Sequence, residues 1–359
     1  MSRMRAALAD QSRHCAALGS PFMGRLMALL SEAWPLPGAV AERLEAWPGE
    51  VGARAAALPL RFAGGLHALV LQGRDDALAA AYPPHADSDA ALLDAVAGAA
   101  RRHEAFLLDW IQSPPQTNEV RRAAALIAGA HLLADRFPLP IRLSELGASG
   151  GLNLGFDGFA MEVAGRRYGP ADAGVVLRPD WDGPLPPAAD VAVAERRGAD
   201  LAPLEPARPE DALRLTAYLW PDQADRLERT RAAMALRAPG IVDRADAIDW
   251  LEDRLAAPRP GHLHILFHSI AWQYFPPETQ ARGRRLIEAA GARASEDAPL
   301  AWLSMESDGG DPGARIGLRL WPGDLELTLG RIDFHGRWVR WTGPERLDGA
   351  AAASILSAE

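Results

Sequence analysis

The chain has 359 residues, of which 48% are hydrophobic and 24% are charged, a balance typical of a globular protein and not of a disordered one. The formal net charge of -9 argues against general affinity for nucleic acid, because that affinity depends on clustered cations. All 38 basic residues are Arg. The absence of Lys excludes Schiff-base chemistry and pyridoxal phosphate attachment, since both need a primary amine.

Cys15 is the single cysteine of the sequence, which excludes an intrachain disulfide and a thiolate zinc site and favours a reducing compartment. Arg, Asp and His interrupt every apolar run among the first 30 residues, so neither a signal peptide nor a membrane span is predicted there. We therefore expect a cytoplasmic protein without a membrane or nucleic-acid partner. The sequence leaves the oligomeric state open.

Residues 1–136 are predicted to form a helical, Ala-rich domain. Apolar residues recur at helical spacing from Ser88 to Ile111, and the run SPPQTNE at Ser113–Glu119 then interrupts the pattern. A second helix is predicted to end near residue 136, because Pro138 and Pro140 follow it.

From Ile141 onward, short apolar runs alternate with helical stretches, which predicts an α/β domain over residues 137–359 with a Rossmann-like, mostly parallel sheet. The pattern near the carboxyl terminus predicts antiparallel strands at one edge of that sheet. A hairpin is predicted as an insertion near residues 156–182. The candidate parallel strands are Ile141–Leu146, Val191–Glu195, Gly240–Asp243, His262–His268 and Leu300–Glu306.

The first of these strands leads into the glycine-rich run ELGASGGLN, which predicts a ligand-binding turn followed by a helix. Glycines allow the backbone to approach a ligand closely. Glu145 at the strand end suits the amino group of an amino-acid-like ligand and would repel a pyrophosphate. These features favour S-adenosylmethionine over NAD or FAD, although Ser149 occupies the middle position where a plain glycine pattern has Gly.

This order of elements resembles the class I, Rossmann-like methyltransferases that depend on S-adenosylmethionine. The resemblance implies that Asp200 binds the ribose hydroxyls, with Glu195 as a rival, and that Asp246 contacts the adenine, with Asp243 as a rival. Surface carboxylates and helix caps are alternative roles for all four acids. The cofactor-binding residues expected from the turn and the resemblance are Glu145, Gly147, Ala148, Ser149, Gly151, Asn153, Asp200, Asp246 and Ala247.

The fourth parallel strand ends at His268, a position that often carries a catalytic residue in these methyltransferases. Histidine titrates near neutral pH, so His268 is the candidate general base, and a hydrogen-bonded core residue is its alternative. His262 and His264 share its face by even spacing. No carboxylate lies near them in the sequence and His262 is expected in a loop, so no metal site is predicted.

Five separated runs resemble a bacterial family known as the domain of unknown function 2332. They are SPPQTNEVRR, LSELGASGGLNL, the segment Arg196–Leu204, the segment Leu219–Arg231 and FHSIAWQYFPPE. The resemblance carries no established reaction. It implies that the turn before the first strand belongs to the site, and residues after His268 are expected to line a pocket for a small or amphipathic substrate. These substrate or lid residues are Gln116, Asn118, Glu119, Arg121, Ser269, Trp272 and Tyr274.

Two other functions compete with methyl transfer. The run from Gly147 to Gly151 also fits G-x-S-x-G, with Ser149 as a hydrolase nucleophile and either Asp308 or Asp311 before His335. The upstream residues are helical and Glu145 would oppose an oxyanion, so the context disfavours a hydrolase. A protein that keeps a methyltransferase-like fold and only binds a ligand is the third reading.

Overall fold

A computed structural model describes residues 2–53, 55–85 and 88–347. The α-helices found among these residues are α1 (Arg3–Ala17), α2 (Pro21–Ala33), α3 (Ala39–Glu45), α4 (Leu58–Leu71), α5 (Asp76–Ala80), α6 (Asp89–Arg102), α7 (Glu104–Trp110), α8 (Ala123–Arg136), α9 (Pro209–Ala217), α10 (Ala224–Leu236), α11 (Ala247–Arg254) and α12 (Pro277–Gly291). Short 3-10 helices cover Val120–Arg122, Asn153–Gly158 and Trp272–Tyr274. No helix within the described ranges has the length and apolar character needed to cross a bilayer.

The strands of the same residues form one large sheet and one small one. They are β1 (Ile141–Leu146), β2 (Phe159–Val163), β3 (Arg166–Tyr168), β4 (Val175–Leu177), β5 (Asp180–Asp182), β6 (Val193–Asp200), β7 (Val242–Arg244), β8 (Leu263–Ser269), β9 (Leu300–Glu306), β10 (Ala314–Trp321), β11 (Leu325–Ile332) and β12 (Trp338–Trp341).

The large sheet has the order β5-β12-β11-β10-β9-β8-β1-β6-β7, and the run from β9 to β7 is parallel throughout. Strands β10, β11 and β12 join it in antiparallel pairings. From β1 the chain continues to β6 on one side, whereas β8 lies on the other side. The carboxyl ends of β1 and β8 therefore flank a topological switch point, where open α/β sheets bind their ligands.

Alternation along the parallel strands divides the core between two faces. Ile141 and Leu143 of β1 pack with α8 and with the small sheet β3-β2-β4 on one face. Leu146 and Leu266 pack with α11 and α12 on the other face. Because successive strand residues point to opposite faces, Glu145 shares the α8 face and His268 shares the α12 face.

The described residues divide into two compact units. The first comprises Met1–Thr117 and Ala207–Arg231, and its core consists of helices α1 to α7 with α9. The second comprises Asn118–Pro206 and Ala232–Glu359 and contains both sheets. This division differs from the predicted boundary after residue 136, because α8 contacts β8 and β9 while α9 contacts α4. The boundary between independently folding domains stays a prediction.

The predicted fold class is confirmed, including the helical amino-terminal region and the antiparallel carboxyl-terminal strands. Strands β1 and β9 have the predicted bounds, whereas β6 extends to Asp200 and not only to Glu195. The helix predicted over Ser88–Ile111 is wrong in one respect, because it breaks at His103 into α6 and α7.

The α-helix predicted after the glycine turn is also wrong. A 3-10 helix of six residues, Asn153–Gly158, stands there and contains non-helical torsions at Gly155. The chain then enters β2 and β3, which pair as the hairpin expected in the insertion, and β4 adds in parallel to β2. Residues Asp180–Asp182 leave this small sheet and pair with β12 at the edge of the large one.

Candidate active site at the carboxyl ends of β1 and β8

The glycine turn is a left-handed backbone segment fixed against β6. Gly147, Ser149 and Gly151 have φ angles of 68°, 51° and 69°. A Cβ atom on Gly147 would lie 2.6 Å from Cβ of Ala271, so only glycine fits beside the segment that follows β8. The amides of Gly147 and Ala148 donate to the Ala199 carbonyl at 2.9 and 3.1 Å. The turn is therefore hydrogen-bonded to β6 and packs closely against the segment that follows β8.

Glu145 is a buried carboxyl group with an unused acceptor. Glu145 is only 2% exposed, and its Oε2 atom has no hydrogen-bond partner. Burial and the nearby Asp200 carboxylate raise the pKa of Glu145 to about 8, whereas the Arg122 guanidinium lowers it. An unpartnered buried acceptor is costly, and a ligand that donates a charged hydrogen bond removes that cost.

Asp200 is the last residue of β6, at the same edge as Glu145. Its Oδ2 accepts from the Ser149 amide at 2.8 Å, and its Oδ1 accepts from the Ala202 amide at 2.9 Å. Glu195 lies at the other end of β6, where it pairs with Arg142, Arg254 and Arg259. Of the two rival acids, Asp200 therefore lies beside the turn and retains unused lone pairs.

Asp246 follows β7 and caps α11, its Oδ1 accepting from the Ile248 and Asp249 amides at 2.9 and 3.1 Å. Asp246 is therefore the N-cap of α11, which is the alternative role named for it, and its Oδ2 accepts neither of these hydrogen bonds. Its rival Asp243 lies within β7 and is bound by Arg197 and by the Trp250 indole. Ala247 is the buried first residue of α11.

The segment before α8 closes over the glycine turn. Asn118 Oδ1 accepts from the Leu152 amide at 2.8 Å, and Asn153 Nδ2 donates to the Glu119 carbonyl at 3.4 Å. Glu119 Oε1 accepts from the Arg121 amide at 3.1 Å. Two of the four residues predicted to belong with the turn, Asn118 and Glu119, are thus hydrogen-bonded to the segment that follows it, and Arg121 contacts Glu119.

Arg122 connects this segment to two further loops of the edge. Its guanidinium donates to the Ser269 carbonyl at 3.3 Å and to the Phe334 carbonyl at 3.0 Å. Because Arg122 also lowers the pKa of Glu145, it is the cation of the site. The same guanidinium therefore binds the chain at the ends of β8 and β11 and lowers the pKa of Glu145.

His268 is buried and engaged at both ring nitrogens. Trp302 Nε1 donates to His268 Nε2 at 2.8 Å, and His268 Nδ1 lies 2.7 Å from Glu306 Oε1. An indole N–H can only donate, so Nε2 is the acceptor and Nδ1 carries the proton. His268 can take a proton from a substrate only after the Trp302 hydrogen bond breaks. The general-base role stays a prediction, and the contacts fix the orientation of the His268 ring.

Glu306 organises the chain that follows His268. Its Oε1 also accepts from the Ala271 and Trp272 amides at 2.9 and 3.0 Å. Burial raises the pKa of Glu306, but hydrogen bonds from His268 and these amides outweigh it, and the net pKa is lowered. The ring of Trp272 stacks on His268 at a centroid distance of 5.1 Å.

We expect Glu306→Ala to lower the free energy of unfolding by about 3 kcal/mol, because three buried donors lose their shared acceptor. Glu306→Gln keeps an oxygen in that place and should lose about 1 kcal/mol. Urea denaturation at pH 7 measures both. Equal losses for the two variants would show that the carboxyl oxygen does not organise this segment.

The remaining predicted residues are distributed unevenly. Ser269 ends β8, and Trp272 opens the 3-10 helix against α12. Tyr274 is 64% exposed and so lines no enclosed pocket in the described residues. Gln116 belongs to the first unit. Within the described ranges, no group of three or more His, Cys, Asp or Glu side chains could hold a metal ion.

Sequence reasoning missed Arg122, Trp302 and Glu306. A carboxylate that ends a predicted parallel strand next to the strand of His268 was a usable signal for Glu306. Trp302 lies four residues before Glu306 on the same strand, so both side chains point to the same face of the sheet. Arg122 gave no signal, because its targets are backbone carbonyls of distant loops.

Comparison with known proteins gives one match. No curated protein and no solved structure matches the chain. A family model described as "Uncharacterized protein conserved in bacteria (DUF2332)" matches residues 5–341. Because that match covers most of the 359 residues, the chain belongs to this bacterial family.

Proposed function

We propose that the protein binds S-adenosylmethionine at the carboxyl ends of β1, β6 and β7 and methylates a small or amphipathic molecule. The observation that carries this proposal is Glu145, a buried carboxyl whose Oε2 lacks a donor beside a left-handed glycine turn. The amino acid part of the ligand provides an ammonium group for that oxygen. When bound, the sulfonium supplies an electrophilic methyl group.

The other acids of the edge fit the rest of the ligand. Asp200 has lone pairs left for ribose hydroxyl donors, and Asp246 has an Oδ2 available to the adenine amino group. Strands in a sheet are about 4.8 Å apart, so acids after β1, β6 and β7 span about 10 Å, the scale of an adenosine ligand. Along this edge, Glu145 would face the amino acid part of the ligand, Asp200 the ribose and Asp246 the adenine, which is the order of these parts in S-adenosylmethionine.

Calorimetric titration at pH 8 with S-adenosylmethionine, S-adenosylhomocysteine and NAD tests the proposal. We expect the two sulfur ligands to bind and NAD to fail, because Glu145 and Asp200 repel a pyrophosphate. If neither sulfur ligand releases heat or raises the melting temperature at millimolar concentration, the cofactor assignment is wrong. Binding without transfer to any acceptor would favour the reading as a ligand-binding protein.

A serine hydrolase is the second candidate, and one observation favours it. Ser149 has a φ of 51°, an unusual value for a residue other than glycine and a feature of exposed nucleophilic serines on sharp turns. Two observations oppose it. The Ser149 amide is bound by the Asp200 carboxylate, and Asp308 is paired with Arg331, which lowers the pKa of Asp308 to about 2.

We expect a fluorophosphonate probe to leave Ser149 unlabelled, because an anion forming at this turn would lie near two acids. Mass spectrometry of the treated protein, with Ser149→Ala as the matched control, measures the result. Labelling that depends on Ser149 would replace the methyltransferase proposal by the hydrolase.

A further inference from the structure

A separate cavity of about 280 Å³ lies in the second unit, away from the glycine turn. Its walls come from α8, the 3-10 helix Asn153–Gly158, the start of β2 and residues 189–191, which precede β6. A water molecule occupies about 30 Å³ of liquid, so the cavity has room for a small organic molecule. The side chains that line it include Ile127, His131, Phe156, Asp157, Phe159 and Asp190.

His131 presents an unused acceptor in this cavity. The residue is 7% exposed, its Nδ1 has no hydrogen-bond partner, and its ring meets Tyr168 edge-on at 5.0 Å. Burial lowers the pKa of His131 to about 4, although a hydrogen bond to the Ala189 backbone and the Asp190 charge oppose the shift. The ring is therefore neutral at pH 7. Because Nδ1 is the nitrogen without a partner, we assign the bond to the Ala189 carbonyl to Nε2–H, which leaves Nδ1 with a lone pair that needs a donor.

The charges around the cavity are negative and only partly neutralised. Asp157 is held by both terminal nitrogens of Arg196 at 2.8 and 2.7 Å. Asp190 is exposed, and its charge acts on His131. The remaining walls are apolar, with Ile127 and two phenylalanines. An aromatic wall next to an exposed carboxylate favours a cation over an anion.

We propose that this cavity binds a small primary amine in its ammonium form. One ammonium N–H donates to His131 Nδ1, the positive charge faces Asp190, and the apolar part of the amine contacts Ile127, Phe156 and Phe159. The site is formed by the insertion that follows the glycine turn and does not depend on the proposed methyl transfer. It gives the protein a second ligand, recognised at a different place in the sheet.

Titration of the full chain with phenethylammonium chloride, followed by calorimetry, tests this assignment. The matched neutral probe is 2-phenylethanol, which replaces the ammonium by a hydroxyl group. We expect saturable binding of the amine and at least about tenfold weaker binding of the alcohol, the ratio that one charged hydrogen bond produces. Equal affinities, or no saturable binding of the amine at millimolar concentration, would overturn the proposal.

Three variants in the cavity and one control outside it locate the binding. His131→Gln keeps a donor for the Ala189 carbonyl but removes the acceptor at Nδ1, so the affinity for the amine should fall about tenfold. Asp190→Asn should weaken it severalfold, whereas Asp253→Asn, an exposed change on α11, should leave it unchanged. Ala189→Leu fills the cavity and abolishes binding even if His131→Gln folds poorly. Unaltered affinity in folded His131→Gln and Ala189→Leu proteins excludes this cavity.

Discussion

Glu145→Gln is expected to weaken the binding of S-adenosylmethionine by about 10- to 150-fold at pH 8, which corresponds to about 1.5–3 kcal/mol for a charged hydrogen bond. The change removes the carboxylate and keeps the size of the side chain. Because Oε2 has no other partner, its interaction with the ligand is not replaced by a protein donor. Calorimetry of both proteins measures the ratio of dissociation constants.

The affinity of the unaltered protein should also depend on pH in a characteristic way. With the pKa of Glu145 at about 8, the ligand-free carboxyl is protonated at neutral pH and must lose its proton to pair with an ammonium. Affinity should therefore rise by about tenfold per pH unit below pH 8. Above pH 8 it should fall again, because the α-amino group of the ligand loses its proton at about pH 8.

The matched control is Glu296→Gln, a change of the same kind at an exposed residue that pairs with Arg136. It should keep both limbs of the pH profile, and Glu145→Gln should lose the rising limb. Titration in buffers of different ionisation enthalpy should show release of one proton near pH 7 from the unaltered protein alone. A rising limb that persists in Glu145→Gln would assign the proton to another group.

The second large effect concerns stability without ligand. The pKa of Glu145 is about 8 in the folded protein and 4.5 in its ordinary state, so between these values the folded form binds more protons than the unfolded form. The free energy of unfolding therefore falls as pH rises from 4.5 to 8, by up to about 1.4 kcal/mol per pH unit from this group. The loss is complete above pH 8 and absent below pH 4.5.

Glu145→Gln should remove this contribution, so the variant should be more stable than the unaltered protein at pH 9 and similar to it at pH 5. Urea denaturation of both proteins at the two pH values gives the difference, in which the other titrating groups cancel. Glu296→Gln again serves as control and should show no such divergence. A variant less stable at pH 9 would mean that ionised Glu145 stabilises the fold. We thus expect Glu145→Gln to stabilise the fold at high pH and to weaken ligand binding, a combination typical of residues in binding sites.

The first and last parallel strands are predictable from the sequence because each directly follows a proline, Pro140 for β1 and Pro299 for β9, and each ends beside glycine or acidic residues. The sequence predicts that strand β6 ends at Glu195, because Arg196 and Arg197 follow and buried parallel strands are usually apolar, whereas it continues to Asp200 with Glu195, Arg196 and Arg197 inside it. These side chains are accommodated in ion pairs with Arg254, Asp157 and Asp243. Such long-range partners have no local signature.

The glycine turn of the candidate site can be predicted from the sequence, but the long-range contacts of Arg122 and His268 cannot. The order of Glu145, the glycines and Asn118 gave the turn and the segment beside it. The partners of His268 come from β9, which is distant in sequence. His268 and Glu145 lie on opposite faces of the sheet, because alternate strand residues point to opposite faces and the face of Glu145 packs against α8. The helix expected after the turn was absent because Gly155 and Gly158 interrupt it and the chain enters β2.

That missing helix has a consequence for selectivity. A long helix beginning at the turn would present an electropositive terminus of about half a charge to a phosphate, and the 3-10 helix of six residues offers little of it. Two acids, Glu145 and Asp200, lie at the turn instead. The proposed site should therefore discriminate among adenosine compounds by the charge of the 5′ substituent, accepting a sulfonium or thioether group and rejecting a phosphate.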